Sequence, residues 1–253
     1  MSDNQENNEN SKYLPIIVNT PNYTFRYSDT LSEDEFQKIK KSLDSCYQPY
    51  KDFFGVENHA KYRVYIYPSR DEFHDDWYNN KMPENFIGLG GRGFLSFVSP
   101  QNCLPTMSYE RAWKELVPHE LAHTFTFENI NFFQSEWHRW FVEGIANYVY
   151  FYRTGDVSWY SVEKVRKAIQ LLGYIPDLNE LGSHNKVNLE VFSKNYGWQF
   201  ADVAVDYMIK EYSEDIVSKI IKNPDKTPFE VMGITKSNFE IGWKKYIEEI
   251  ICV

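Results

Sequence analysis

"LVPHELAHTF", residues 116–125, carries His119, Glu120 and His123. On an α-helix, positions four apart lie on one face, one turn above the other. His119 and His123 can therefore aim both imidazoles at one point, and neutral imidazole is a good ligand for Zn²⁺. Glu120 is one step round the helix. It is poorly placed to ligate the same ion but can reach a water activated there. The spacing is HExxH. A catalytic zinc needs three protein ligands and an open fourth position, so a third ligand must come from elsewhere, on an element packed close to this helix. Pro118 stands directly before His119. Proline in a helix interior costs about 3 kcal/mol, so the spacing predicts that the helix begins or bends there.

The pattern with Gly and a third His further along the same segment is excluded, because those positions hold Thr126 and Asn129. Glu128, Glu136, His138 and Glu143 remain as downstream candidates. Glu128 falls on the wrong side of the same helix, and Glu136 and His138 lie in "QSEWHRW", before or at the start of the next one. Glu143 has the best context, in "WFVEGIANYVYFY". Phe141, Ile145, Tyr148 and Tyr152 form an apolar stripe at helical spacing, and Glu143 lies off it with Asn147 and Tyr150. The small Gly144 and Ala146 would let this helix approach its neighbour.

Working outward, the chain reads strands first and helices later, the α+β pattern. Residues 1–12 are rich in Asn and Glu and are expected to form a disordered tail. The remainder, 13–253, reads as a single domain with a sheet-containing part over 13–107 and a helical part over 108–253. "LPIIVNTPNYTFRYS" (14–28) reads as a strand pair. Ser32 caps a helix whose first turn holds Glu33, Asp34 and Glu35 and whose stripe is Phe36, Ile39, Leu43, Cys46 and Tyr47. "YRVYIYP" (62–68) is a buried strand stopped by Pro68, and Ser69 caps a short helix through Trp77. "NFIGLGGRGFLSFVSP" (85–100) reads as one strand at a sheet edge, where missing side chains let another backbone come close. Helices are expected over 108–127 with Ser108 as its cap, then over 135–152, 159–172, 188–212, 213–222, 227–232 and 237–250. His59, His74, His138 and His184 have no partner at ligand spacing and read as surface or locally bonded histidines. Asp202, Asp206 and Lys210 read as a solvated face, with Asp202 the one that could orient a site residue.

"HELAH", followed 20 positions after His123 by the Glu of "WFVEGIANY", resembles the gluzincin metallopeptidases. The second segment is similar to that of the aminopeptidase N-like families. The "VPHELAH" form and the helical tail are most similar to the bacterial peptidase MA-like domains. The resemblance covers roughly residues 85–250 and is strongest over 116–150. It implies a thermolysin-like zincin catalytic domain with a small mixed sheet on the N-terminal side and a mainly helical C-terminal half. It implies one Zn²⁺ held by His119, His123 and Glu143, with Glu120 as general base in peptide-bond hydrolysis. It also implies a tyrosine at the start of a later helix that stabilises the oxyanion. "NYGWQFADVAVDYMIKEY" supplies Tyr196, 53 positions after Glu143. The Gly-rich strand resembles the edge strand that takes the substrate backbone, with Gly90, Gly91 and Gly93 as the substrate-binding candidates. Aminopeptidases of this type need an acidic group for the free amine. "GLGGRGFLSF" offers only Arg92, of the wrong sign and a surface residue by default, which tilts the reading towards endopeptidase or carboxylate-binding specificity. The alternative is a zinc-binding interaction module that keeps the fold without cleaving peptides.

Composition sets outer bounds. The chain has 253 residues, 42% hydrophobic and 17% aromatic, enough for a substantial core. A net charge of −9 argues against nucleic acid or an anionic membrane surface as the main partner; it says little about substrate, and a peptide or protein substrate is what the resemblance implies. Cys46, Cys103 and Cys252 are few and widely spaced, so neither a zinc ribbon nor a disulfide framework is expected. No apolar run approaches the roughly 20 residues a membrane helix needs. "MSDNQENNENSK" has no signal-peptide character, so the sequence as written reads as cytoplasmic, or as secreted or surface-anchored if a leader has been removed.

Overall fold

The computed structural model describes residues 11–56, 61–78, 86–103, 109, 112–128, 138–154, 161–182 and 189–252. The first ten residues of the expected tail, Ser108, Glu136, His59 and His184 lie outside them. The fold is mixed α+β with a small five-stranded sheet. The described residues fall into two compact units, within Met1–Lys51 and Val56–Phe125, and within Asp52–Gly55 and Thr126–Val253.

The first unit is built on the sheet. β1 (Ile16–Asn19) and β2 (Tyr23–Tyr27) form the expected antiparallel pair. Helix α1 (Glu33–Phe54) crosses over to β3 (Tyr62–Tyr67), which lies parallel to β2. Helix α2 (Arg70–Tyr78) leads to β4 (Gly88–Gly91) and β5 (Phe94–Val98). The sheet order is β1-β2-β3-β5-β4, with β5 parallel to β3 and β4 antiparallel to β5. The segment 85–100 is thus not one strand but a hairpin. Arg92 and Gly93 make its turn, and Gly93 takes φ 76°, a conformation open to glycine. Only the glycine half, β4, is at the edge.

Both faces of this sheet are covered, which is why β3 and β5 read as near-continuous apolar runs. On one face Trp77 of α2 stacks on Phe94 at 4.9 Å and Phe73 sits edge-on to Tyr67. On the other, Phe36 of α1 packs on Phe25 and Tyr27. There Phe125, from the helix that carries the histidines, meets Tyr47, Tyr50 and Tyr62. Ser32 caps α1 by accepting from Glu35 N. Glu35 itself does not face water. It is buried, and it accepts from Ser99 Oγ at 2.7 Å and Gln101 N at 3.0 Å.

The second unit is helical. Its elements are α4 (Arg139–Thr154), α5 (Val162–Leu172), α6 (Leu189–Lys194), α7 (Gly197–Tyr212), α8 (Asp215–Ile221), α9 (Pro228–Met232) and α10 (Lys236–Ile251). The single helix expected over 188–212 is therefore two. The break is at Tyr196, whose φ of 53° is left-handed and cannot continue a right-handed helix. Gly144 of α4 acts as the sequence suggests. A Cβ on Gly144 would lie 2.5 Å from the Ala201 carbonyl oxygen of α7, so only glycine permits this approach. Gly144→Val is expected to cost about 2 kcal/mol by overpacking. That is a fall in Tm of roughly 4–8 °C for a chain of this size, checked by thermal unfolding.

The reading of Asp202, Asp206 and Lys210 as a solvated face needs correction at its two acids. Asp202 and Asp206 are not a solvated face: both are buried. Asp202 accepts from Asn147 Nδ2 at 2.8 Å, and Asp206 bonds Lys210 and Tyr246. His138 is buried against Trp140 and Phe229. His74 is locally bonded, its Nε2 lying 2.8 Å from the Phe86 carbonyl oxygen. All three cysteines are free. Burial, with the Glu35 charge behind it, pushes the Cys103 thiol up to about 12, so it stays protonated at neutral pH. No helix among the described residues is long and apolar enough to cross a membrane.

Candidate metal centre

The residues of "LVPHELAHTF" are split by their backbone. Ala112–Leu116 form a π-helical turn, and the α-helix α3 (Val117–Glu128) begins at Val117. Pro118 thus falls in the first turn, where a missing N–H costs nothing and the fixed φ suits the helix. The α-helix begins one residue before the proline, and the π-helical turn runs directly into it.

From that start, His119 and His123 face the same way one turn apart. Their Nε2 atoms are 2.9 Å apart, and the rings meet edge-to-face with centroids 4.5 Å apart. Two imidazole lone pairs facing each other at that distance repel unless a proton or a cation lies between them. The pair fits either an N–H···N hydrogen bond between the two rings or two lone pairs turned to one cation. His123 is buried and His119 half-buried.

The edge strand β4 lies hard against this helix. A Cβ on Gly90 would stand 2.3 Å from the Glu120 carbonyl oxygen and 2.5 Å from His123 Cβ. A Cβ on Gly88 would stand 2.4 Å from Glu120 Oε1. The buried carboxylate of Glu120 thus occupies room left by the absent side chain of Gly88. Thr124 adds a tie from the helix to the hairpin, donating to the Phe94 carbonyl at 2.8 Å. A Cβ on Gly91 would meet the Phe94 ring instead, and one on Gly93 would meet nothing within 4 Å. The hydrogen-bond phase of β4 also sorts its glycines. Ile87 accepts from Val98 N at 2.9 Å, and antiparallel bonding alternates along a strand. Gly91 therefore directs its backbone at β5, and Gly88 and Gly90 direct theirs to the side that no described strand pairs.

Glu143 lies on α4, buried. Its Oε2 accepts from Trp198 Nε1 at 3.1 Å, and its Oε1 lies 3.4 Å from Arg139 Nη1. Among the described residues, His119, His123 and Glu143 each offer one ligand atom, and these atoms all lie within 4.8 Å of one another. Two imidazoles and a carboxylate are a donor set that suits zinc. Tyr196 is the N-cap residue of α7, half-buried, two positions before Trp198. Arg92 is exposed in the hairpin turn.

Sequence reasoning missed two features here. Gly88 shares the alternation of Gly90 and could have been read from it. Trp198 had no spacing signal to mark it. No family model matches the chain, and no curated protein matches it.

Proposed function

We propose that the chain is a zinc-dependent peptidase of the gluzincin type on a thermolysin-like fold. The observation that carries the reading is the His119, His123 and Glu143 group, with the Glu120 carboxylate one step round the same helix. A bound Zn²⁺ would supply Lewis acidity, acidifying a water and polarising a carbonyl beside it. His119 and His123 would hold it through their ring nitrogens, and Glu143 through a carboxylate oxygen. Glu120 accepts a proton from the attacking water and hands it to the leaving amine. Burial favours this role, because a carboxylate shielded from bulk water passes protons to what lies beside it. The Tyr196 phenol donates a hydrogen bond to the substrate carbonyl oxygen as negative charge develops there.

Gly88 and Gly90 are the better substrate-backbone candidates than Gly91 and Gly93, because of their outward backbone phase. An extended peptide would add there as a further strand. Nothing in β4 supplies an acid for a free amine, which keeps the reading on the side of internal peptide bonds.

Metal content after exhaustive dialysis, with a casein digestion run beside it, tests the proposal. One zinc per chain and cleavage abolished by a chelator and restored by Zn²⁺ are expected. A chain without stoichiometric metal sinks the reading altogether. Stoichiometric zinc with no turnover across casein and short fluorogenic peptides leaves a zinc-binding module and removes the peptidase.

A further inference from the structure

We propose that Trp198 is the positioning residue for Glu143, its indole N–H fixing the carboxylate in the orientation in which it ligates the metal. This rests on the reading of Glu143 as the third ligand. A carboxylate turns freely about its last torsion, which has broad wells rather than sharp rotamers. A glutamate offered to a metal therefore needs a donor to stop it. Trp198 Nε1 donates to Glu143 Oε2 at 3.1 Å, and Arg139 Nη1 lies 3.4 Å from Oε1. The indole is the better orienter of the two. Its contact is the shorter, it has a single N–H with one direction, and it brings no charge to compete with a cation. Outer groups of this kind set ligand geometry in metal sites.

The surroundings of Trp198 are built to hold that N–H still. Phe192 of α6 packs edge-on against the indole at 5.1 Å and 79°. The Arg139 guanidinium lies 5.9 Å from the centroid of the same Phe192 ring. Phe192 reaches this place only because residue 197 is glycine: a Cβ there would lie 2.4 Å from its ring. Directly before, Tyr196 holds a left-handed backbone that side-chain-bearing residues adopt at a cost. The break between α6 and α7 is thus the turn that sets Phe192 against Trp198 and Trp198 on Glu143. The Arg139–Glu143 pair runs Arg first, the less favourable order on a helix, so helix stability does not account for it.

Trp198→Phe removes the N–H and keeps a ring against Phe192. Zinc affinity, measured by chelator competition, is expected to fall about 10- to 100-fold. The visible absorption of the cobalt-substituted protein, which reports ligand geometry, is expected to shift. The metal-free protein should melt within about 4 °C of the parent, since one part-buried hydrogen bond is lost and a ring is kept against Phe192. In a Glu143→Ala background the same change should leave the residual zinc affinity unaltered, because Trp198 acts only through Glu143. If Trp198→Phe does not fold, Trp198→Tyr serves in its place. Zinc affinity within about twofold of the parent with an unchanged cobalt spectrum overturns the inference. So does an equal loss of affinity in the Glu143→Ala background. A parent chain that binds neither zinc nor cobalt overturns the metal site itself, a distinct result.

Discussion

Glu120→Gln is expected to lower casein turnover by about 10²- to 10⁴-fold while leaving one zinc per chain. The carboxamide has the shape of the carboxylate, so it fits the space beside Gly88 that Glu120 Oε1 now fills. It cannot take a proton from water, and that is the one property removed. His119, His123 and Glu143 keep their places because the substitution changes no volume on the buried side of α3. Measuring metal content and kcat on the same preparation separates two failures. Equal cleavage by Glu120→Gln with zinc retained removes the general-base role. Loss of zinc with loss of turnover means that Glu120 supports the ligands and that its proton role is unproven. Alanine is the poorer probe, because it would leave a cavity against β4 and confuse chemistry with packing.

What the sequence made legible was local. The shared face of His119 and His123 follows from helical periodicity alone, and the place of Pro118 in the first turn of α3 suits its missing N–H. Gly144 was readable as a small residue, but Ala201, the backbone it approaches, was not, because the two are joined only by folding. The break at Tyr196 was invisible for a related reason. The apolar spacing of Phe192 runs on into Phe200 and Val203, and nothing in residue preference marks a tyrosine as left-handed. Glycines mislead in another way. They carry no hydropathy signal, so "GLGGRG" could not be phased into an outward Gly88 and Gly90, an inward Gly91 and a turn at Gly93. Asp202 and Asp206 looked solvated because their partners, Asn147 and Tyr246, lie far along the chain. Polar residues are read as exposed until a distant partner is known.

The glycines also yield the largest expected change in stability. Gly90→Ala is expected to destabilise the chain by about 3 kcal/mol or more, because its Cβ would stand 2.3 Å from the Glu120 carbonyl oxygen and 2.5 Å from His123 Cβ. Neither atom is the end of a flexible side chain that can swing aside. Relief requires that β4 leave α3 or that α3 shift against the sheet, where Thr124 and Phe125 pin it. Gly93→Ala is the internal control. Its Cβ meets nothing within 4 Å, and only its φ of 76° is unfavourable, so a cost of about 1–2 kcal/mol is expected. Thermal and denaturant unfolding of the two variants measures the difference. The stability change at Gly90 should be accompanied by weaker zinc binding, since the atoms it strikes are those that hold His123 and Glu120 in register. At Gly93 zinc binding should be untouched. If Gly90→Ala is as stable as Gly93→Ala, the edge strand is not packed on the histidine helix. In that case the placement of Glu120 beside Gly88, on which its role depends, fails with it.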